Sequence, residues 1–212
     1  MARHPAGAKL VPAKPVPAKL VLATSNRGKV HEFARLLGDR FPDYVTLADV
    51  GLEAPDETGS TYAANARLKA RACLEATGLP CVADDSGLEV AALDGAPGLH
   101  SARYAADPES RIDKLLAAIA RKRDRAARFV CVVAFAHPKL GLKTFRGECP
   151  GVILKERRGT AGFGYDPVFE IPRLGRTMAE LTGPEKDRLS HRGRALAKLA
   201  RWLDLPEQSR KL

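Results

Sequence analysis

Two neighbouring carboxylates, Asp84 and Asp85, stand in the stretch VADDSGLEV, where an apolar run meets Ser86 and Gly87. Adjacent acids next to a phosphate site suit a hard cation such as Mg2+, which takes a carboxylate or two and fills its shell with phosphate oxygens and water. An Asp-rich turn that caps its own backbone uses the same residues, so the acids need company before they signify chemistry. The expected geometry is a buried strand, Pro80 to Asp84, that delivers both acids at its end and then turns at Ser86 and Gly87.

A candidate for that company is TSNRGK, which follows the apolar run KLVLA. Thr24, Ser25 and Asn26 fall in a strand-to-helix turn, with Arg27 after them. Gly28 lets the backbone come close to a ligand. The helix start offers free N–H groups and a positive dipole end to an anion, and Lys29 adds a charge. The stretch is not a P-loop, because the earlier glycine and the hydroxyl after the lysine are missing. An ordinary helix cap with a surface lysine reads the same way.

Two further stretches complete the set. PDETGSTYAANARLKA places Asp56 and Glu57 in a loop before a long helix, where they either join a metal site or favour the helix start. Asn65 and Lys69 share one face of that helix at i, i+4 spacing, the pattern of an exposed polar face. GFGYDPVF, with Phe163, Gly164, Tyr165 and Asp166, is a glycine-flanked aromatic turn suited to stacking on a base. PEKD brings Lys186 nearby. SHRGRAL opens the last helix with His191 and Arg192, and a basic helix start runs against the dipole preference.

The elements that must position these residues alternate early and pair late. A strand at KLVLA leads to a helix over Lys29 to Leu37, then a strand at YVTL and a helix capped at Ser60 or Thr61 and stopped by Gly78. A helix over Glu109 to Ala120, the strands RFVCVVAFAHP and LKTFRGECPGVIL, and a helix over Ser190 to Leu203 follow. That order argues for an α/β domain with a mixed sheet. Residues 1–18 are a low-complexity Ala/Pro/Lys leader expected to be disordered or extended. The folded domain is expected over 19–205, with a tail at 206–212.

Composition narrows the class. The chain has 212 residues, 45% of them hydrophobic, enough for one domain with a sizeable core. No apolar run approaches the ~20 residues of a spanning helix. Cys73, Cys81, Cys131 and Cys149 lack C-x-x-C spacing and a histidine cluster, so they read as reduced, mostly buried thiols of a cytoplasmic protein rather than zinc ligands. The net charge of +10 comes partly from the leader and partly from the run RKRDRAAR, Arg121 to Arg128. That run has no interleaved aromatics for base stacking and reads as solvated surface rather than a nucleic-acid patch.

TSNRGK, DETGSTYAANARLKA, ADDSGLEV, GAPGLHSARYA, GFGYDPVF and SHRGRAL occur in this order across nearly all of Leu20 to Leu203. Together they resemble the inosine/xanthosine triphosphate pyrophosphatase family, enzymes that clear deaminated purine nucleotides from the nucleotide pool. Ser25 departs from the glycine of many relatives, and the leader has no counterpart in the usual pattern. The resemblance implies an elongated single α/β domain of two lobes around a mixed β-sheet, with the substrate cleft between them. It implies a homodimer and Mg2+-dependent hydrolysis of a nucleoside triphosphate (ITP, dITP or XTP) to monophosphate and pyrophosphate. By motif position, Asp85 matches the acid that activates water and binds metal, and Asp56 or Glu57 matches a further metal ligand. Ser86 and the loop Thr24, Ser25, Asn26, Arg27, Gly28, Lys29 match substrate contacts. Phe163, Gly164, Tyr165, Asp166, Lys186, His191 and Arg192 match contacts to the base. Rival readings are a Maf-like nucleotide pyrophosphatase of other base specificity and a basic nucleic-acid-binding module, which would leave ADDSG without a role.

Overall fold

Residues 19–41 and 43–206 are described by the computed structural model, so the expected leader and all of the expected tail beyond Pro206 lie outside the described residues. The described residues begin with β1 (Leu20–Leu22), α1 (Arg27–Leu37) and β2 (Tyr44–Thr46). It goes on through α2 (Tyr62–Thr77), β3 (Cys81–Val90), α3 (Pro108–Ala118), β4 (Ala126–His137) and β5 (Gly141–Ile153). Two short strands, β6 (Phe169–Ile171) and β7 (Arg176–Thr177), precede the helices α4 (Gly183–Leu189) and α5 (His191–Leu203). The strands form one mixed sheet in the order β2-β1-β3-β4-β5-β6-β7, the α/β architecture that the alternation of patterns predicts. β1 is parallel to β2 and β3, with α1 and α2 as the crossovers that parallel pairing demands. From β3 onward every pairing is antiparallel.

Strand alternation decides which layer each residue joins. Leu20 and Leu22 of β1 and Val82 of β3 pack with Phe33 and Leu37 of α1 and Leu196 and Leu199 of α5. Val21, Cys81 and Ala83 pack on the other face against Ala66, Ala70 and Cys73 of α2. A third cluster joins Ile112 and Leu115 of α3 to Leu88, Val90 and Phe129 farther along the sheet.

Helix boundaries follow cap chemistry. Asn26 Oδ1 accepts the Lys29 N–H at 3.1 Å, so α1 starts at Arg27, two residues earlier than the apolar spacing suggests. Thr61 caps α2, which ends on Gly78 at φ 67°. Asp107 caps α3. Of the basic run, Arg125 donates to the carbonyls of Ile119, Ile153 and Leu154, Arg128 pairs with Glu89 at 2.7 Å, and Arg121, Lys122 and Arg123 are exposed. All four cysteines are free and buried. Among the described residues, no helix is long and apolar enough to cross a membrane.

One local expectation is overturned. The chain does not turn at Ser86 and Gly87; β3 runs unbroken to Val90, in register with β4 from Cys81↔Ala136 to Val90↔Ala127. Gly87 serves packing instead. A Cβ there would collide with the carbonyl oxygen of Gly98, which is why a glycine interrupts a strand interior. On the opposite edge β1 stops pairing at Leu22↔Val82. From Asp84 to Leu88 that edge therefore carries no strand, and side chains from loops and helices reach it.

Candidate active site

Because β3 continues through both acids, its period of two sends them to opposite faces. Asp84 has the parity of Val82 and points toward α1 and α5. Lys29 Nζ lies 2.9 Å from Asp84 Oδ1, and Arg192 donates to Oδ2 from Nη2 at 3.0 Å and from Nε at 3.2 Å. Ser86, of the same parity, accepts from Arg192 Nη2 at 3.0 Å. Asp85 has the parity of Ala83 and faces α2. Its Oδ2 accepts from Asn65 Nδ2 at 2.9 Å, and its Oδ1 accepts the Ser86 N–H at 2.9 Å.

The Asp84 side is a buried ionic network. Arg192 Nη1 also donates to Glu32 Oε2 at 2.7 Å. Lys186 Nζ bridges Glu32 Oε1 at 2.9 Å and Asp166 Oδ2 at 2.7 Å. Asp166 Oδ2 further accepts the Phe163 N–H at 2.9 Å, which pins the aromatic turn. Three cations (Lys29, Lys186, Arg192) thus face three acids (Glu32, Asp84, Asp166), all six wholly or mostly buried. Such charges are tolerated only when each is paired and hydrogen-bonded. This explains the basic start of α5: Arg192 answers acids of β3 and α1, not the dipole of its own helix. It also commits four of the five Arg192 N–H groups to Asp84, Glu32 and Ser86, leaving one to meet anything else.

The Asp85 side is built from α2 and the loop before it. Lys69 Nζ donates to Glu57 Oε1 at 2.8 Å, and Arg103 Nη1 to Glu57 Oε2 at 2.7 Å. Asn65 accepts the Gly59 N–H at 2.7 Å while donating to Asp85. The exposed polar face expected for Asn65 and Lys69 is in fact turned inward, with 1% and 6% of each residue exposed. The helix face facing β3 carries small alanines, and the two polar side chains fill the space beside the acids.

These surroundings separate the acids electrostatically. Complete burial would raise the Asp84 carboxyl, but Lys29 and Arg192 hold it far below the usual carboxylate range. Burial pushes Asp85 above that range, opposed by the Asn65 hydrogen bond. Burial opposes ionisation of Glu32 and Glu57 too, yet Arg192 with Lys186, and Lys69 with Arg103, keep them low. Burial drives His191 well below its ordinary value, so its imidazole is neutral. The ring stacks on Phe129 with centroids 4.6 Å apart, and Nδ1 has no hydrogen-bond partner.

A cleft of about 140 Å³ lies between the two sides. Asn26, Lys29, Asp85, Ser86 and Glu57 line it. Phe163, Gly164, Tyr165, Asp166, Lys186, His191 and Arg192 line it as well, so most of the expected site converges there. Phe163 bridges the cleft: Lys186 Nζ lies 4.7 Å from its ring centroid, and a Cβ on Gly28 would come within 2.7 Å of its edge. Thr24, Ser25 and Arg27 line a neighbouring groove instead, together with His31, Thr46 and Glu53. Asp56 lines neither. Sequence reasoning missed Glu32, whose signal is an acid set within the apolar arc of α1. It also missed Arg103 and Arg111; Arg111 lines the cleft, and nothing in the spacing marks either one.

No group of three or more His, Cys, Asp or Glu side chains forms a ready metal cage among the described residues. The donors present nonetheless fit Mg2+. Asp85 and Glu57 both face the cleft, and one or two carboxylates with substrate oxygens and waters make up a usual Mg2+ shell.

Comparison with known proteins gives the family. A sequence profile of the Ham1 family matches residues 20–202. A Gloeobacter violaceus protein named dITP/XTP pyrophosphatase is 53% identical over 180 residues, spanning 85% of this chain and 91% of that protein. The structure of a HAM1 protein from Coxiella burnetii superposes with a TM-score of 0.80 at 42% identity, covering 88% of this chain and 98% of that one. The Staphylococcus aureus Ham1 protein gives a TM-score of 0.78 at 41% identity, with the same coverage. The chain belongs to the Ham1 family.

Proposed function

We propose that the protein hydrolyses deaminated purine nucleoside triphosphates, ITP, dITP and XTP, to the monophosphate and pyrophosphate. The observation that carries this reading is the division of labour between Asp84 and Asp85 beside one cleft. Asp84 is a fully ionised anchor that fixes Lys29, from the phosphate-loop side, and Arg192, from the base side. Asp85 is raised toward the range where a carboxylate takes a proton from water, and the Asn65 amide aims it. Attack by that water on the α-phosphorus expels pyrophosphate. Asp85 and Glu57 would hold Mg2+, which when bound offsets the charge that builds on the leaving group. The dITP/XTP pyrophosphatase names borne by relatives support the substrate class.

Phe163 would stack on the purine. Hypoxanthine and xanthine carry an acceptor oxygen where adenine carries an amine, and Lys186 and the neutral His191 are the donors to meet it, with Arg192 held in the network behind them. A site built for that acceptor would leave the adenine amine facing a donor, a mismatch that can discriminate by roughly 10⁴–10⁵-fold. The family resemblance adds a homodimer in the cytoplasm to this reading. One assay tests the core of it: incubation with inosine, xanthosine, adenosine and guanosine triphosphates and Mg2+, with product identification. Pyrophosphate release favouring the first two is expected. Orthophosphate with a diphosphate product would overturn the bond assignment.

A further inference from the structure

Asn65, Lys69 and Cys73 recur at every fourth position of α2 and so share one face. On β3, Cys81 and Asp85 are four apart and share the face turned toward α2. Asn65 touches Asp85, and Cys73 touches Cys81. Eight residues of helix rise about 12 Å, and four residues of strand about 13 Å. The helix therefore lies antiparallel along the strand, and the two contacts are rungs of one seam. The near rung aims the proposed base. The far rung is a pair of thiols.

The Sγ atoms of Cys73 and Cys81 stand 2.6 Å apart, inside the contact distance of two unbonded sulfurs and about half an ångström beyond a ~2.05 Å disulfide bond. Both residues are buried, at 3% and 0% exposure. Cys131 and Cys149 show no such contact with another thiol. Cys81 Sγ also lies 3.2 Å from the Leu79 carbonyl oxygen, which fixes its rotamer toward the helix. We propose that Cys73 and Cys81 are a redox modification site, a dithiol that a small peroxide converts into a disulfide latching α2 to β3 at the far rung of the active-site seam.

The chemistry balances with hydrogen peroxide as oxidant. The Cys73 thiolate attacks one peroxide oxygen, the O–O bond breaks, and hydroxide leaves with the electron pair, giving a sulfenic acid. Cys81 then displaces the hydroxyl from the Cys73 sulfur: the S–S bond forms, the S–O bond breaks, and the Cys81 proton leaves with that oxygen as water. Each thiol sulfur is oxidised by one electron, and the peroxide is reduced to two waters. The Cys81 hydrogen bond, against burial, holds the Cys73 thiol below its ordinary pKa and makes it the nucleophile, whereas Cys73 and burial hold Cys81 up as the resolving thiol. A latch here keeps Asn65 and Lys69 seated when α2 would otherwise loosen on heating.

The test treats the full chain with hydrogen peroxide and maps the thiols. The expected result is loss of two hydrogens in mass and a fall in titratable thiols from four to two. A digest cutting after Glu75 should leave the Cys73 and Cys81 fragments joined until dithiothreitol is added. The thermal midpoint should rise by about 5 °C on oxidation and return on reduction, and Cys73→Ala should show neither change. Four persisting thiols, added oxygen without a new bond, or a bond at Cys131 or Cys149 would overturn the proposal. Because the mapping is done on the unaltered chain, it decides the matter even if Cys73→Ala folds poorly, and it is independent of the nucleotide assay.

Discussion

Asp84 and Asp85 are neighbours in sequence and opposites in environment. Asp84 is enclosed by the cations of α1 and α5 and is charged under any ordinary condition. Asp85 meets one neutral amide and one backbone N–H, at a cleft wall, and burial pushes its proton affinity up. The difference comes from strand geometry: one residue of offset moves a side chain to the other face of the sheet. Two carboxylates at one strand edge can therefore hold the site together and carry its chemistry without competing for the same partners. Removing each side in turn should give losses of different kinds.

The largest effect on turnover is expected from Asp85→Asn. The shape stays, while the basicity and a metal-holding charge go. Loss of a general base costs typically ~10²–10⁴-fold, so kcat/KM for inosine triphosphate should fall by at least that much. Stability should change little, because a neutral amide asks less desolvation than a buried carboxylate while its single oxygen leaves one of the two donors on this position, the Asn65 amide or the Ser86 N–H, without its acceptor. Near-normal turnover in this variant would place the chemistry elsewhere.

Arg192→Ala should do the reverse in kind. It leaves Glu32 buried without its principal cation and Asp84 with Lys29 alone, and breaking such a pair costs about 3–5 kcal/mol. Urea denaturation should show this loss directly. Activity should fall on every nucleotide alike, because the variant disturbs Phe163, Lys186 and Ser86 together. An unchanged urea midpoint with an altered inosine-to-adenosine ratio would mean that Arg192 reads the base rather than holding the network.

The same contrast predicts how stability responds to acid. Asp84 and Glu32 are lowered on folding, so they contribute stability above their unfolded pKa values near ~4 that is lost as pH falls through the folded values. Asp85 is raised, so its term has the opposite sign: ionisation costs stability above its folded pKa, and protonation returns it as pH falls. Wild type should therefore lose stability below about pH 4, by as much as ~1.4 kcal/mol per pH unit for each proton taken up. The Asp85 contribution falls above that pH, between its unfolded value near ~4 and its raised folded value, where acidification should stabilise wild type relative to Asp85→Asn; below about pH 4 the two slopes should match. Equal slopes above about pH 4 in urea titrations of the two proteins would show that Asp85 is not shifted.

Much of this site is legible in the sequence, and the reason it is not all legible is geometric. TSNRGK, ADDSG, GFGYD and SHRG mark themselves because glycine, short caps and clustered charges are costly to place without cause. Helix faces and strand faces can be read from periodicity. What periodicity cannot give is the partner. Glu32 and Arg192 meet across 160 positions of chain, and nothing local in α1 announces an arginine so far away. Asn65 and Lys69 look solvated on a helical wheel, and only the open edge of β3 turns them inward. The division between Asp84 and Asp85 was hidden by Gly87, whose usual meaning is a turn. Here it marks close approach of the Gly98 backbone.

The smallest effect, and the sharpest probe of the Asp85 side, is expected from Asn65→Ala. Asn65 makes two contacts, donating to Asp85 and accepting from Gly59. The first is the leading influence that lowers the Asp85 carboxyl against burial. Without it the charged form loses a charge-assisted hydrogen bond, worth ~1.5–3 kcal/mol when made, and the pKa of Asp85 must rise further. A base with a higher pKa stays protonated to higher pH. The acid limb of the kcat/KM profile should therefore move to higher pH, while the plateau above it drops only a few-fold from looser aim. The lost Gly59 contact contributes to stability, not to the profile. A purely structural Asn65 would lower the whole profile and leave its acid limb in place, and that outcome would detach α2 from the chemistry. Asn65→Asp supplies the opposite control: a second carboxylate against Asp85 should push the limb up more strongly than alanine does, because like charges at contact disfavour ionisation more than a missing donor does.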